Sequence, residues 1–335
     1  MTPELLLAVA GLATLAGADL FWVLLLLGVA AAVPQVPAGP GLLADLGLAS
    51  VIGMAALLHV AERLAEARLV SAIYWKAFQG VARPLAGALL GAAVVSQPWF
   101  GTATASVVGG TCAGLTHALT SGIFLRRRLL GRENPGFPAA GLAEDGVVAA
   151  GTALVLWAPV PGGVLCSAYL LGTAVRGGPL LRLARFGIRL ASGGIRHLAS
   201  GPGWRSAAAL PPWAAALVKE REEGEGLGLT APDRVVPGGV VSGEKRGPVL
   251  RGGWLAAGSR GAALLVGGKG APRAIPVAAN GEGAEETLFD RIPVRGTEGR
   301  DEGEGWTLLV GRDGPGRSAL LAALGRTAGE RRNPP

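Results

Sequence analysis

Cysteine is almost absent from this 335-residue chain: only Cys112 and Cys166 are present, both inside apolar segments. That excludes a disulfide framework or a cysteine-based metal set, and the two read as small packing residues. Enzyme signatures are missing as well. There is no Gly-x-Ser-x-Gly elbow, no His-Glu-x-x-His, no Cys-x-x-Cys and no glycine-rich loop ending in Gly-Lys-Ser or Gly-Lys-Thr. Gly311 to Ser318 has P-loop spacing but carries Arg317 where the phosphate-binding lysine belongs, so it reads as a turn and helix start. The expectation is a protein that is not an enzyme and holds no cofactor and no metal. Basic residues interleaved with aromatics are lacking too, so no nucleic-acid partner is expected. A basic n-region is lacking in the first 30 residues, which are expected to be a retained first span rather than a cleavable signal.

What the chain has is apolar mass. Half of its residues are hydrophobic, 55 are glycine, and the mean hydropathy is +0.42, too high for an ordinary soluble protein of this size. The apolar residues run in long blocks from Leu5 to about Leu171, whereas the chain after Lys219 is rich in Gly, Glu, Arg and Pro. Charge divides in the same way. Residues 1–175 carry 8 Lys and Arg against 8 Asp and Glu, residues 176–200 carry 5 Arg and no acid, and the tail carries 18 basic against 16 acidic residues. Five of the seven excess positive charges thus sit just after the apolar region, where an anionic membrane surface is the natural partner.

About 20 helical residues cross a hydrocarbon layer. Leu5 to Val33 is long enough to span with a break near Asp19, and Pro34 to Pro40 ends it. A second span is expected over about Leu46 to Leu64, and an interfacial segment with Tyr74, Trp75 and Lys76 over Ala65 to Gly80. A third is expected from Arg83-Pro84 to about Ser96, with proline in its first turn, and a fourth from Trp99 to about Ile123, rich in small residues. Glu144 to Val175 is cut by Pro159-Val160-Pro161 and Gly162-Gly163, which predicts a helical hairpin rather than one straight span. Arg126, Arg127, Arg128 and Arg132 mark the cytoplasmic side, as do Arg63, Arg68, Lys76 and Arg83, so the N terminus and the C-terminal domain are placed inside.

The predicted fold is therefore an α-helical polytopic membrane domain (1–178) of four spans plus a Pro/Gly-broken hairpin, located in the cell (plasma or inner) membrane. A basic amphipathic juxtamembrane helix (179–200) follows, with Arg182, Arg185, Arg189 and Arg196 toward anionic inner-leaflet lipids or, alternatively, packed on the bundle. A charged linker (201–233) leads to a small β-rich domain (234–327) with strands near 235–241, 254–257, 262–266, 274–277, 288–294 and 306–310 and a helix over 318–324. That order loosely resembles a bacterial pleckstrin-homology-like domain. The tail, 328–335, is expected to be disordered.

Charged groups within membrane helices cost roughly 3 kcal/mol each, so each invites a functional reading. Asp19, His59, Glu62, Glu66, Arg83, Thr116, His117, Glu144 and Asp145 are the candidates. His59, Glu62, Arg63 and Glu66 share one helix face by their spacing. Glu62, Arg83, His117 and Glu144 fall toward the cytoplasmic ends of their helices and are expected to form a polar cluster. The plainer alternative is that Glu62 and Glu66 pair with Arg63, Arg68 or Arg83, and that Glu144 and Asp145 complement the positive end of a helix.

Glu62-x-x-x-Glu66, Arg83-Pro84-Leu85-Ala86-Gly87-Ala88-Leu89-Leu90, Gly114-Leu115-Thr116-His117-Ala118 and Leu142-Ala143-Glu144-Asp145 occur in that order. The set resembles the bacterial membrane-protein family catalogued as domain of unknown function 4126, over roughly Leu5 to Val175. Glu66 stands where that family usually has Asp, an Ile-Pro segment after it is absent, and Thr120 stands where Lys is common. The resemblance implies a membrane bundle and brings no activity with it. Two functions are expected as alternatives. One is permease-like or lipid-handling transport through the polar cluster, by a bundle small enough to need a homo-oligomer; the other is a structural anchor presenting the β-domain to a protein or anionic-lipid partner.

Overall fold

The structure, a computed structural model, describes residues 2–33, 46–95, 99–129, 137–200, 203–223, 234–242, 249–258, 261–266, 273–279, 284–285, 289–296, 305–311, 314–315 and 317–329. The expected turn over 34–40, Arg132 and the end of the chain from 330 lie outside these residues, as do parts of the expected linker. By internal packing the chain divides into Met1–Ala184 and Arg185–Pro335.

The first unit is helical. Helix α1, Pro3–Ala18, opens with Pro3 in its first turn and with Thr2 Oγ1 accepting the Leu5 N–H at 3.4 Å. It stops where Asp19 turns extended (φ −144°, ψ 99°), and Asp19 then caps α2, Leu20–Ala32, by accepting the Trp22 N–H at 3.0 Å. A single aspartate thus divides one apolar block into two helices. After them come α3 (Ala49–Ala67), α4 (Leu69–Val94), α5 (Trp99–Leu129), α6 (Phe137–Trp157), α7 (Pro159–Arg176) and α8 (Gly178–Ser200).

Leu69–Val94 and Gly101–Arg126 are long and apolar enough to cross a membrane, and the bent pair Pro159–Val175 and Gly178–Gly193 adds a third if it counts as one broken span. These fall short of the four expected, because α1 and α2 are each short and α3 carries His59, Glu62, Arg63 and Glu66. The distribution of polarity is that of a membrane protein. Leu57, Leu64, Val81, Leu85, Leu89 and Val107 face outward, while Asp19, Glu62, Gln79, Arg83 and His117 are buried.

One expectation is corrected here. Ala65 to Gly80 is not an interfacial segment ahead of a span starting at Arg83-Pro84; after an extended Arg68, a single 26-residue helix runs through Pro84. A proline inside a membrane helix is tolerated where neighbouring groups accommodate its backbone, and here α5 offers glycines. A Cβ on Gly114 would lie 3.1 Å from the Pro84 ring, and one on Gly109 would run into the Gly87 carbonyl. Side chains at these positions would force α4 and α5 apart. The break expected at Pro159 to Gly163 is observed at Ala158, where α6 ends and α7 begins with Pro159 at its first position.

Helix α8, which begins in the first unit and ends in the second, runs through the expected basic helix. Leu183, Ala184, Phe186 and Leu190 are buried along it, whereas Arg185, Ile188, Arg189 and Ile195 are exposed. The stretch expected as linker holds a helix, α9 (Pro212–Glu223), with Ala214, Leu217 and Val218 in one apolar cluster with Val235, Ala256, Leu265 and Ala274. Alanine and leucine in that stretch were outweighed in the sequence by the charges of Lys219 to Glu223.

Seven strands then follow: β1 (Arg234–Ser242), β2 (Val249–Gly258), β3 (Gly261–Val266), β4 (Arg273–Ala279), β5 (Ala284–Glu285), β6 (Phe289–Gly296) and β7 (Gly305–Gly311). The two-residue β5 is the one not expected. They form an antiparallel sheet in the order β4-β3-β2-β1-β7-β6-β5, curled into a half-barrel in which β4 also pairs with β6. Alternation points Val236, Leu255, Leu264, Ile275, Ile292, Val294 and Leu308 to one face, where Leu320 and Leu324 of α10 (Arg317–Gly329) cover them.

Candidate functional site

The break at Asp19 creates the first half of the site. A helix that stops inside apolar surroundings leaves backbone carbonyls needing donors, and the fully buried Arg83 of α4 supplies them. One Nη donates to the carbonyls of Gly17 and Ala18, while the other donates to Glu62 Oε1 at 2.7 Å. Arg83 is thus at once the positive cap of α1 and the counter-ion of α3. Gly17 lets this happen, since a Cβ there would run into the Ala113 carbonyl of α5.

The second half gathers around Arg63 of α3. Its guanidinium reaches Asp19 Oδ2 at 3.0 Å and Glu66 Oε2 at 3.2 Å, and also bonds Asp145 Oδ1 of α6. His59, one turn earlier on α3, places Nδ1 3.4 Å from Asp19 Oδ2 and Nε2 3.9 Å from Asp145 Oδ2. Trp22 braces all three: its N–H donates to Asp19 Oδ1 at 3.0 Å, its indole N–H to the Asp145 carbonyl at 3.0 Å, and its ring stacks on His59 at 5.0 Å. Lys76 of α4 joins the halves, 3.8 Å from Glu62 Oε1 and in a salt bridge with Glu66.

Five of the expected residues, Asp19, Glu62, Glu66, Arg83 and Asp145, therefore meet, and His59 with them. His117 adjoins: its Nε2 donates to the Lys76 carbonyl at 2.9 Å, with Ser121 Oγ 3.2 Å away, so it faces the backbone of α4 rather than a charge. Thr116 turns back on its own helix, donating to the Cys112 carbonyl at 2.9 Å. Glu144 is exposed, and the adjacent Asp145 makes the contacts instead. Both lie well inside α6, so they do not complement the positive end of that helix. The expected pairings of Glu62 with Arg83 and of Glu66 with Arg63 are present.

Lys76, Gln79 and Trp22 were missed as site residues. Lys76, Gln79 and Arg83 follow spacings of three and four on one face of α4, a signal hidden by the interfacial look of Tyr74-Trp75-Lys76. Gln79 is fully buried, with no hydrogen-bond partner for either amide atom among the described residues. Of the surface arginines, Arg185 and Arg189 are exposed and Arg182 is half-buried; the side chain of Arg196 lies outside the described residues.

Four carboxylates (Asp19, Glu62, Glu66, Asp145) face three obligate cations (Arg63, Lys76, Arg83), with His59 between them. Asp19, His59 and Asp145 also offer ligand atoms that all lie within 4.8 Å of one another. The network lies wholly inside the stretch 6–177 that matches the family model described as a domain of unknown function, DUF4126. The chain belongs to that family. No curated protein and no solved structure matches it significantly. In this DUF4126 member five of the polar residues that carry the family likeness, Glu62, Glu66, Arg83, His117 and Asp145, converge on or beside one network, whereas Thr116 and Glu144 do not, and the half-barrel lies outside the family region.

Proposed function

We propose that this protein is a permease-like or lipid-handling transporter that moves a polar solute through the network around Asp19, Glu62, Arg63, Lys76, Arg83 and Asp145. The observation that carries this reading is the helix break at Asp19, whose carbonyls accept from the buried Arg83 of α4 and whose carboxylate pairs with Arg63 of α3, which also holds Asp145 of α6. Broken helices with ionisable residues at the break are the usual construction of transport sites in membranes. Burying four charged groups, Asp19, Glu62, Glu66 and Arg83, is unfavourable for a mere anchor, which an apolar core would serve better.

In this reading the broken first span, α3, α4, α5 and the α6–α7 pair all cross the cell membrane, with the N terminus and half-barrel cytoplasmic and no catalytic step. A bundle of this size encloses a pathway as a homo-oligomer. The exposed Arg185 and Arg189 beside Ile188 and Ile195 then lie against anionic lipid of the inner leaflet. The alternative is a scaffold presenting the half-barrel to a protein or lipid partner.

A complementation assay in a host lacking the protein separates the two. Wild type, His117→Ala, Glu62→Gln and a truncation after Ser200 are compared at matched membrane levels. Loss in the two point variants alone supports transport. Loss on truncation alone sinks it and makes the spans an anchor.

A further inference from the structure

Arg63 makes more ion pairs than any other described cation of the network, yet its side chain is the most exposed of the three at 31%. It bridges two carboxylates, Asp19 at the α1–α2 break and Asp145 of α6, that among the described residues form no salt bridge with a second lysine or arginine. A delocalised guanidinium in that position performs the work of a doubly charged ion at half the charge. Two carboxylates against one arginine leave a deficit of one positive charge, which a divalent cation would remove.

We propose that Asp19, His59 and Asp145 form a binding site for a first-row divalent transition-metal ion, with Arg63 as a tethered cation that the ion displaces. This deepens the transport reading by naming its ligand class, but the site stands or falls on binding alone. Three features carry it. The ligand atoms come from the α1–α2 break, α3 and α6, so the site is assembled by the fold rather than by one surface stretch. All three residues are contacted by Trp22: its main-chain N–H holds the Asp19 carboxylate at 3.0 Å, its ring stacks on His59, and its indole N–H holds the Asp145 main-chain carbonyl at 3.0 Å. Such outer contacts are what orient ligands at metal sites. Finally, Arg63 has a place to go, since Glu66 Oε2 already lies 3.2 Å from it.

The donor set selects the ion. Two carboxylates with one neutral imidazole suit Mn²⁺, Fe²⁺, Co²⁺ or Zn²⁺ better than Mg²⁺ or Ca²⁺, which favour oxygen throughout. Ligands about 2.1 Å from a metal lie roughly 3.0 Å apart when adjacent and about 4.2 Å apart when opposite, so the set, whose atoms lie within 4.8 Å of one another around a guanidinium, closes by at most about 0.6 to 1.8 Å.

The test is equilibrium dialysis of the full-length protein, purified in detergent and freed of metal by chelation, against Mn²⁺ or Co²⁺ with Mg²⁺ as control. Folding of each variant is checked by its melting temperature. The site predicts one Mn²⁺ or Co²⁺ per chain and no Mg²⁺ at the same concentration, with His59→Ala and Asp145→Asn losing at least tenfold in affinity. Arg63→Gln removes the competitor and gains at least tenfold, a direction that damage to a purely structural network does not produce. Trp22→Phe keeps the ring but removes the indole N–H, and loses up to about tenfold. Absence of bound ion in both wild type and Arg63→Gln overturns the proposal, as does binding that His59→Ala leaves unchanged. If the ion binds as described while His117→Ala and Glu62→Gln still complement, the metal site stands and transport fails. If no ion binds while those variants lose complementation, the reverse holds.

Discussion

The two units of this chain bury opposite things. In the helical unit Arg83 is 0% exposed, Glu62 2% and Asp19 3%, whereas among the described residues from Arg185 onward no charged side chain is buried and the core is Val, Leu, Ile, Ala and Trp. The half-barrel gains stability from apolar burial in water, the ordinary driving force. Lipid removes that force between helices, so the bundle must hold together by close glycine contacts and by polar groups that cannot be left unpaired. Ion pairs there are costly to assemble and costlier to break. Charges retained in such a place specify which helices meet.

The sharpest way to break this comparison is Arg83→Met. It strands Glu62 in the interior and uncovers the Gly17 and Ala18 carbonyls, a loss of about 3–5 kcal/mol by the measure of buried pairs deprived of one partner. Thermal unfolding in detergent should show the helical transition collapse while the half-barrel transition stays. Adding Glu62→Leu should recover a large part, since an apolar pair replaces a matched ion pair at little cost. If Arg83→Met melts like wild type, the network is not what holds these helices together.

The same pair shows what the sequence made legible. Isolated charges in apolar surroundings are conspicuous, so Asp19, Glu62, Glu66, Arg83 and Asp145 could be named before their contacts were known. Period-two runs gave β1, β3, β4, β6 and β7 nearly to their ends but only the later part of β2, whose start at Val249 was missed, while the two-residue β5 is too short to carry a pattern. Lys76 was hidden because a lysine beside Tyr74 and Trp75 looks the same at an interface as at the mouth of a buried cluster. The choice between Glu144 and Asp145 was hidden for another reason: neighbours on a helix point about 100° apart, and only the packing of α6 decides which one faces Arg63. Arg63 as the hub, and Trp22 as the brace, depend on contacts across tens of residues that no local pattern encodes.

Leu308→Ala probes the other side of the comparison. Leu308 is fully buried between β1 and β6 and packs in the cluster that α10 covers. Truncating it costs about 2–5 kcal/mol through lost transfer energy and the cavity left behind. The half-barrel transition should fall accordingly, with binding of Mn²⁺ or Co²⁺ unchanged. A matching fall in ion affinity would mean that the two units are energetically one.

The smallest effect is the most discriminating test of why the charges matter. Thr116 is as buried as Glu62, at 1% against 2%, and lies in the same family-like stretch as His117. Its hydroxyl, however, bonds the Cys112 carbonyl one turn back on its own helix, so it links no two elements. Thr116→Val keeps the shape, and the freed carbonyl retains its helical partner. The change should therefore cost under about 1 kcal/mol, a few tenths being typical of a bond that only competes with the helix ladder. A melting temperature within a degree or two of wild type is expected, beside the collapse of Arg83→Met. If Thr116→Val were as damaging, burial of a polar group by itself would explain the fragility of the bundle, and bridging between helices would not.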